Sequence, residues 1–307
     1  MADYLLPLNI NGLAGRMLKL PAPKGKNREI LFVYGHHTSL ERIYGVAELL
    51  NKYGAVTVPD LPGFGGMQTF YKIGQQPDLD AMADYLAAFV KLRYRNKRLT
   101  IGAYSLGVMI VIRMLQKYPE LAKKIDLLAS IAGFAHKDDF IFKRRTIWIF
   151  RIGTALFSRR LPAAFLKYFI FRKIFIRTTY LFVERFFIKQ QHSKIQGTDA
   201  EEKRRRIDFE IHLWKCNDPR TYMKIAHEMF TLDLTGKHIN LEVYHVSVDA
   251  DRYFNNTLVE QHMRTIFRDF HLIKADVPSH SPSVIADAKD AAPFIPPALR
   301  KVLNAKK

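Results

Sequence analysis

One serine lies in a sequence context that suits nucleophilic catalysis. Ser105 is the centre of the run Ala103-Tyr-Ser-Leu-Gly107, which follows an apolar, strand-like segment at 99–104 and precedes a helix-like segment at 106–118. A strand–turn–helix presents a serine at the carboxyl edge of a sheet, and small neighbours relieve crowding in the tight turn. The five-residue run arises often by chance, so the prediction depends on the strand and the helix around it.

A serine hydroxyl is a poor nucleophile at neutral pH unless a base takes its proton and an acid orients that base. Two candidates follow strand-like segments late in the chain: Asp251 after 240–248, and His280 after 270–275. The carboxyl ends of parallel strands meet at one edge of a sheet, where these side chains can join Ser105. Asp249 is an alternative acid, and Asp138, after the fourth strand, is a more distant one.

Strand-like and helix-like segments alternate over the first 135 residues. The predicted strands there are 29–34, 55–58, 99–104 and 125–132, and the alternation returns with strands at 240–248 and 270–275 around a helix near 258–267. This rhythm predicts an α/β fold with a mostly parallel central sheet and helices on both faces. Thr38 and Glu41 fit a capping box at the start of the first helix, and Asp78 can cap the second.

The alternation breaks in the middle of the chain. The segment 140–189 has 12 Lys or Arg, one acid (Glu184) and 14 of the 38 aromatic residues. It has few β-branched runs, so we expect several helices there. The sequence therefore predicts a core in two pieces, 1–135 and 238–307, separated by a basic, aromatic-rich helical insertion at 136–237.

The formal net charge of +19 calls for an acidic partner or a highly charged solvated surface. Aromatic residues interleaved with cations suit a helix at an anionic membrane interface, and they equally suit an insertion that packs on the core with a cationic outer face. No nucleic-acid-binding module is recognisable in 140–189, so nucleic acid is not expected. The N-terminus lacks a signal-peptide pattern and no long uncharged apolar stretch occurs, which favours the cytoplasm, with peripheral membrane contact as the open alternative.

Five motifs together resemble the α/β-hydrolase superfamily, and within it the capped esterase, lipase and C–C hydrolase branch. They are Gly35-His-His-Thr-Ser39, Asp60-Leu-Pro-Gly-Phe-Gly-Gly66, Ala103-Tyr-Ser-Leu-Gly107, Val248-Asp-Ala-Asp251 and Ser279-His-Ser-Pro282. The resemblance covers about 1–135 and 238–307, and it implies that the insertion is a cap domain. It also implies that Ser105 is the nucleophile, His280 the general base and Asp251 the orienting acid.

The resemblance further implies an oxyanion hole formed by the backbone N–H groups of His36 and Leu106. Two positions depart from the family pattern: Ala103 replaces the usual glycine, and Tyr34 replaces the histidine that usually precedes the Gly35 turn. Haloalkane dehalogenases and epoxide hydrolases share the fold but use an aspartate at the position of Ser105, so those activities are not expected.

The function predicted from these features is hydrolysis of a hydrophobic carboxylic ester through an acyl-enzyme on Ser105. The alternatives are acyl transfer or C–C bond hydrolysis by the same triad, and a non-catalytic hydrolase-like protein that binds an anionic membrane through 140–189. No cofactor or metal is expected: adjacent histidines such as His36 and His37 rarely converge on one ion, and the glycine-rich run at 60–66 lacks the Lys and Ser/Thr of a phosphate-binding loop. Oligomeric state is not indicated.

Overall fold

The computed structural model of the chain describes residues 1–179, 200–249, 251–277, 280 and 287–305. Eight strands form one sheet: β1 Leu5–Ile10, β2 Leu13–Leu20, β3 Glu29–Val33, β4 Ala55–Pro59, β5 Leu99–Tyr104, β6 Ile125–Ile131, β7 Ile239–Val248 and β8 Phe267–Ala275. Their order is β1-β2-β4-β3-β5-β6-β7-β8. All six strands predicted from the sequence are present, with ends shifted by a few residues at most.

The sheet is parallel from β4 to β8, and its β1–β2 and β2–β4 pairs are antiparallel. The helices of the core are α1 Leu40–Asn51, α2 Leu79–Arg93 and α3 Leu106–Lys117, followed after the insertion by α8 Asn256–Ile266, α9 Ala288–Ala291 and α10 Pro297–Ala305. The chain moves from β3 to β4 in one direction and from β4 to β5 in the other. Right-handed crossovers therefore place α1 and α2 on opposite faces. Consistent with this, α2 packs against α3, and α1 packs against α9.

An N-terminal hairpin that was not predicted extends the sheet at one edge. Its strands β1 and β2 are joined by the two residues Asn11 and Gly12, which both have positive φ (50° and 79°). Asn-Gly between apolar runs is the strongest short signal for such a turn, because both residues tolerate the left-handed region. The sequence thus contained a signal for this hairpin.

The helix starts show one correct cap prediction and one wrong one. Asp78 caps α2, where its side chain accepts a hydrogen bond from the N–H of Ala81 at 2.8 Å. The capping box at Thr38 and Glu41 is wrong: α1 has Ser39 as its N-cap residue, and the Glu41 carboxylate accepts a hydrogen bond from Arg16 at 2.7 Å. A long-range ion pair has replaced the local bond that the spacing suggested.

The described part of the insertion is mostly helical, as predicted. It contains α4 Arg144–Phe157, α5 Arg160–Phe165, a π-helical turn at Leu166–Ile170, a helical segment at 173–179, α6 Ala200–Cys216 and α7 Pro219–Thr231. The remainder of the predicted basic stretch, 180–189, lies outside the described residues. Among the helices that are described, none combines the length and the hydropathy that a membrane crossing requires.

The glycine-rich turn after β4 joins the core to the insertion. In this turn the N–H of Gly65 donates to the Asn217 side chain (2.9 Å), and the N–H of Gly66 donates to the Cys216 carbonyl (2.8 Å). The Gly63 carbonyl accepts a hydrogen bond from the N–H of Asp218 (2.8 Å). Gly63 and Gly65 have positive φ, and a Cβ on Gly63 would lie 2.6 Å from Thr221. Glycine therefore allows close backbone approach here, and these bonds hold the start of α7 against the core.

Candidate active site

Ser105 lies in a sharp turn between β5 and α3. Its backbone is at φ 50° and ψ −115°, a strained conformation for a residue with a side chain. Close packing supports this turn: a Cβ added to Gly107 would lie 2.1 Å from the carbonyl oxygen of Val33. Only glycine lets the first turn of α3 approach β3 this closely, which explains the glycine two residues after the serine.

The three residues predicted as a triad are brought together by the fold. His280 Nε2 lies 3.2 Å from Ser105 Oγ, and His280 Nδ1 lies 2.7 Å from Asp251 Oδ2. An ionised carboxylate only accepts hydrogen bonds, so Nδ1 carries the imidazole proton and Nε2 is free to accept the serine O–H. Ser105 and His280 are both buried, which limits competition from water.

The loop after β7 distinguishes between the candidate acids. The second oxygen of Asp251, Oδ1, accepts the N–H groups of Tyr253 (2.8 Å) and Phe254 (3.2 Å), so the carboxylate is fixed by bonds on both oxygens. Asp249 is exposed, and the side chain of Asp138 is 67 % exposed and lies near His136. The geometry therefore places Asp251 next to His280 and leaves the two alternatives at the surface.

Aromatic residues that the sequence analysis did not single out hold His280 in position. The hydroxyl of Tyr104, directly before the serine, donates to the His280 carbonyl at 2.6 Å. The rings of Tyr253 and Phe254 meet the imidazole in edge contacts with centroids 5.1 and 5.3 Å away. The backbone and the ring of His280 are thus held separately, one by β5 and the other by the loop that carries Asp251.

The two predicted oxyanion residues flank the serine. Leu106 begins α3, where the first N–H groups have no acceptor within the helix. His36 follows β3, and its ring Nε2 donates to the carbonyl of Tyr222 on α7 at 3.1 Å. Burial lowers the pKa of His36 to about 3, so this imidazole is uncharged at neutral pH. The His36 ring therefore ties the loop to the insertion, and its backbone N–H is the group available for oxyanion chemistry.

Tyr34, the departure from the family pattern, has a structural role behind the site. Its buried hydroxyl donates to Asp60 Oδ1 (3.1 Å) and accepts the N–H of Leu61 (2.7 Å). Arg16 Nε also donates to Asp60, at 3.2 Å. Burial raises the pKa of the Asp60 carboxyl to about 8, while Arg16 and the Tyr34 hydroxyl act in the opposite direction. This network anchors the start of the glycine-rich turn.

The adjacent histidines do not point to one metal ion. His37 Nε2 lies 2.8 Å from Glu210 on α6, whereas the His36 ring bonds to Tyr222. Within the described part of the chain, one group of side chains has donor atoms close enough to share an ion: Glu242, Asp269 and His271 on β7 and β8, in a group that is partly exposed. Exposed acidic groups of this kind are common without an ion.

A cavity of about 280 Å³ opens at Ser105 and His280. Its walls come from the core and from the insertion, where α7 contributes Tyr222 and Met229. The remaining lining residues are Phe32, His36, His37, Thr38, Arg42, Ile43, Val46, Tyr104, Ile131, Phe140, Tyr253, Phe254, Phe294 and Ile295. Most of them are apolar or aromatic, as in sites for small hydrophobic ligands. Arg42 is an exception that the sequence analysis missed.

The chain resembles known proteins in its structure rather than in its sequence. No protein-family model matches the chain, and no curated protein matches its sequence. Solved structures do match: a hydrolase from Oleispira antarctica (TM-score 0.64, 14 % identity, 94 % of each chain) and a thermophilic esterase from Thermogutta terrifontis (TM-score 0.59, 18 % identity, 97 % of each chain). The chain has the α/β-hydrolase fold. A putative lipase from Acinetobacter baumannii shares it (TM-score 0.63, 16 % identity, 95 % of this chain and 90 % of the other).

The α/β-hydrolase fold accounts for where the candidate residues lie. In open parallel sheets, ligand sites form at the carboxyl ends of the strands. Ser105 follows β5, Asp251 follows β7 and His280 follows β8, so all three stand at that edge. At these identities the solved structures share a fold with this chain, and they leave its reaction open.

Proposed function

We propose that this α/β-hydrolase-fold chain is a serine hydrolase that cleaves a carboxylic ester through an acyl-enzyme on Ser105. The observation that carries the proposal is the continuous hydrogen-bonded chain from Ser105 Oγ to His280 (3.2 Å) and from His280 to Asp251 (2.7 Å). A hydroxyl next to an unprotonated imidazole nitrogen, itself oriented by a fixed carboxylate, is the arrangement that activates a serine at neutral pH.

In the proposed reaction, His280 Nε2 takes the proton of Ser105 as Oγ attacks the ester carbonyl. The imidazolium then gives that proton to the leaving alcohol, and the acyl group stays on Ser105. Water, deprotonated by the same nitrogen, attacks the acyl-enzyme; the imidazolium then returns the proton to Ser105 Oγ as the acyl–oxygen bond breaks, and the acid is released. Asp251 stabilises the imidazolium in both steps, and the N–H groups of His36 and Leu106 stabilise the negative oxygen of each tetrahedral intermediate.

The cavity at Ser105 fits a substrate with a hydrophobic acyl or alcohol group. The walls of the cavity at Ser105 include Phe32 and Ile131 from the core, and Phe140 and Met229 from the insertion. We assign 136–237 as a cap over a core of 1–135 and 238–307, because α7 lines one side of the cavity and the residues just before α7 bond to the turn at 60–66. An esterase and a putative lipase are among the solved structures with this fold, which supports the ester as the substrate class.

Hydrolysis of p-nitrophenyl esters from acetate to laurate tests the proposal. We expect a burst of p-nitrophenol followed by steady turnover, because acylation releases the alcohol before water frees the enzyme. The rate constant kcat/KM should rise with acyl length while methylenes still enter the cavity, by roughly fourfold per buried CH₂. Absence of turnover across the series would contradict ester hydrolysis.

We further propose that the hydrolase works at an anionic membrane surface. Apolar side chains of the insertion stand unusually exposed to solvent: Trp148 (63 %), Ile149 (61 %), Leu161 (82 %), Phe169 (61 %) and Ile174 (79 %). The segment 140–179 that carries them has ten Lys or Arg and no Asp or Glu. We call these side chains and cations the apolar–basic surface. Apolar groups that enter the acyl region, with cations at the headgroups, are typical of interfacial binding, and each cation contributes about 1 kcal/mol near an anionic leaflet.

Co-sedimentation with vesicles tests the membrane proposal. We expect the protein to bind phosphatidylserine-containing vesicles, to bind pure phosphatidylcholine far more weakly, and to be released by ~0.5 M salt, because salt screens the cations. Leu161→Glu should weaken binding by about tenfold or more, since it puts a charge into the apolar part of the interface.

Leu92→Glu is the matched control, because Leu92 is 72 % exposed on α2, outside the insertion. Equal effects of the two substitutions, or binding that is indifferent to lipid charge, would refute the apolar–basic surface as the docking site.

A further inference from the structure

Arg42 lines the cavity that holds Ser105 and His280. It lies in the first turn of α1, three residues after the loop that contains His36 and His37. Although it is an arginine, it is buried, with 8 % of its surface exposed. Its Nη1 donates to the carbonyl of His37 at 2.8 Å. Within the described part of the chain this is the one hydrogen bond of its side chain, and no carboxylate pairs with it.

Arg16 shows what a structurally paired arginine looks like in this protein. It is only half-buried, yet its guanidinium donates to the carboxylates of Glu41 at 2.7 Å and Asp60 at 3.2 Å. Arg42 is more deeply buried and has a neutral carbonyl as its partner. A guanidinium offers five N–H donors and never loses its charge in a protein, so burying it with one neutral acceptor is costly unless an anion joins it.

The other walls of the cavity supply no such anion. Of the described residues that line it, Arg42 is the one with a permanent charge. Burial lowers the pKa of His36 to about 3 and so holds it neutral. Apart from His37 and His280, the other lining residues are aromatic, aliphatic or hydroxyl-bearing. His37 is already paired with Glu210, and His280 with Asp251. Arg42 therefore faces the cavity with guanidinium donors to spare, among lining residues that include no carboxylate, and this arrangement suits a ligand that carries one.

We propose that Arg42 binds a free carboxylate on the substrate, so that the ester cleaved at Ser105 is a monoester carrying an acid group at the other end of an apolar frame. This deepens the proposed ester hydrolysis and rests on it for the reaction, although not for the binding site. A guanidinium holds a carboxylate by two parallel N–H···O bonds, which fixes orientation as well as charge. The apolar walls contact the frame between the carboxylate and the ester.

Paired esters test the proposal. One series is the p-nitrophenyl monoesters of dicarboxylic acids from succinate to sebacate, each compared with the p-nitrophenyl ester of the monocarboxylic acid of equal length. A second pair carries the acid on the leaving group: 3-butyryloxybenzoate against phenyl butyrate. We expect wild type to prefer the acid-bearing ester in at least one series, by about 10- to 100-fold in kcat/KM, as for a hydrogen bond to a charged group.

Arg42→Met keeps the length and burial of the side chain without its charge, and it should abolish that preference ratio. Arg42→Lys keeps the charge but cannot form the two parallel N–H···O bonds, so it should retain part of the preference for the acid-bearing ester. Arg98→Met is the matched control: Arg98 pairs with Asp126 at the start of β5, the end of the sheet opposite Ser105, so its replacement should leave the ratio as in wild type.

A wild-type enzyme that shows no preference in either series, or a preference that survives Arg42→Met, overturns the proposal. If no ester is turned over at all, the proposal of ester hydrolysis fails. The role of Arg42 is then tested separately, by measuring ligand binding. Titration calorimetry then compares monomethyl adipate with methyl hexanoate on Ser105→Ala, with and without Arg42→Met. Tighter binding of the acid that is lost with Arg42→Met supports the site, and equal binding of the two probes refutes it.

Discussion

Replacing Ser105 by alanine is expected to lower kcat for p-nitrophenyl esters by roughly a millionfold and to abolish labelling by a fluorophosphonate probe. The reason is that Oγ forms the covalent bond in the proposed reaction, and no neighbouring group can replace it. Loss of a serine nucleophile costs about this much in a serine hydrolase, and the residual rate comes from binding and the oxyanion donors. Intact-mass spectrometry after labelling measures the covalent step directly, without a choice of substrate.

The control for Ser105→Ala is Ser158→Ala, at the end of α4, where the hydroxyl bonds to the Ala155 carbonyl of its own helix. That variant should label and turn over esters as wild type does. Equal labelling of wild type and Ser105→Ala would show that another residue is the nucleophile. Thermal unfolding of Ser105→Ala should change little, because alanine at this position keeps the strained backbone and removes only one oxygen.

Replacing Asp251 by asparagine is the second large effect that we expect, a loss of about 10,000-fold in kcat. The amide NH₂ of asparagine would donate to His280 Nδ1 and so move the imidazole proton to Nε2. That nitrogen, 3.2 Å from Ser105 Oγ, could then no longer accept the serine proton. The geometry of the triad would stay nearly intact, and the protonation pattern would be wrong. Steady-state kinetics of the purified variants measure the loss.

Asp249→Asn is the matched substitution for Asp251→Asn, because it makes the same chemical change two residues away on the same loop. Asp249 is exposed, and its backbone N–H bonds to the Ala275 carbonyl, so the side-chain change should alter kcat by no more than about twofold. A larger effect at Asp249 than at Asp251 would assign the acid to the other carboxylate.

Much of the fold was predictable because it is encoded over short stretches. Buried parallel strands are apolar runs, which the sequence shows directly, and all six predicted strands occur. Asp78 caps α2 through a hydrogen bond to a residue three positions further along the chain, so the cap depends only on local spacing. Where a side chain had a distant partner, local reasoning failed: Glu41 fits a capping box by spacing, but Arg16 on β2 binds its carboxylate instead.

The residues of the candidate site also differ in how far the local sequence could predict them. Ser105 could be singled out because strand, turn and helix lie within a few residues of it. The histidine and the acid depended on their place after later strands, and the sequence left Asp249 and Asp251 both open. Arg42 gave no signal at all, since an arginine in the first turn of an amphipathic helix is ordinarily solvated. Only the tertiary structure brings α7 and the C-terminal segment to the cavity that Arg42 lines.

The sequence by itself determined the alternation of strands and helices, the strained turn at Ser105 and the basic, aromatic character of the insertion, because each depends on neighbours in the chain. The tertiary structure decided which carboxylate faces His280, which is 29 residues from Asp251 in the chain and 2.7 Å from it in space. It also decided that Tyr34 supports Asp60 and that Arg42 is buried with no carboxylate bonded to it among the residues that the structure describes. Burial and long-range hydrogen bonds arise when distant segments pack together, and no local pattern in the sequence records them.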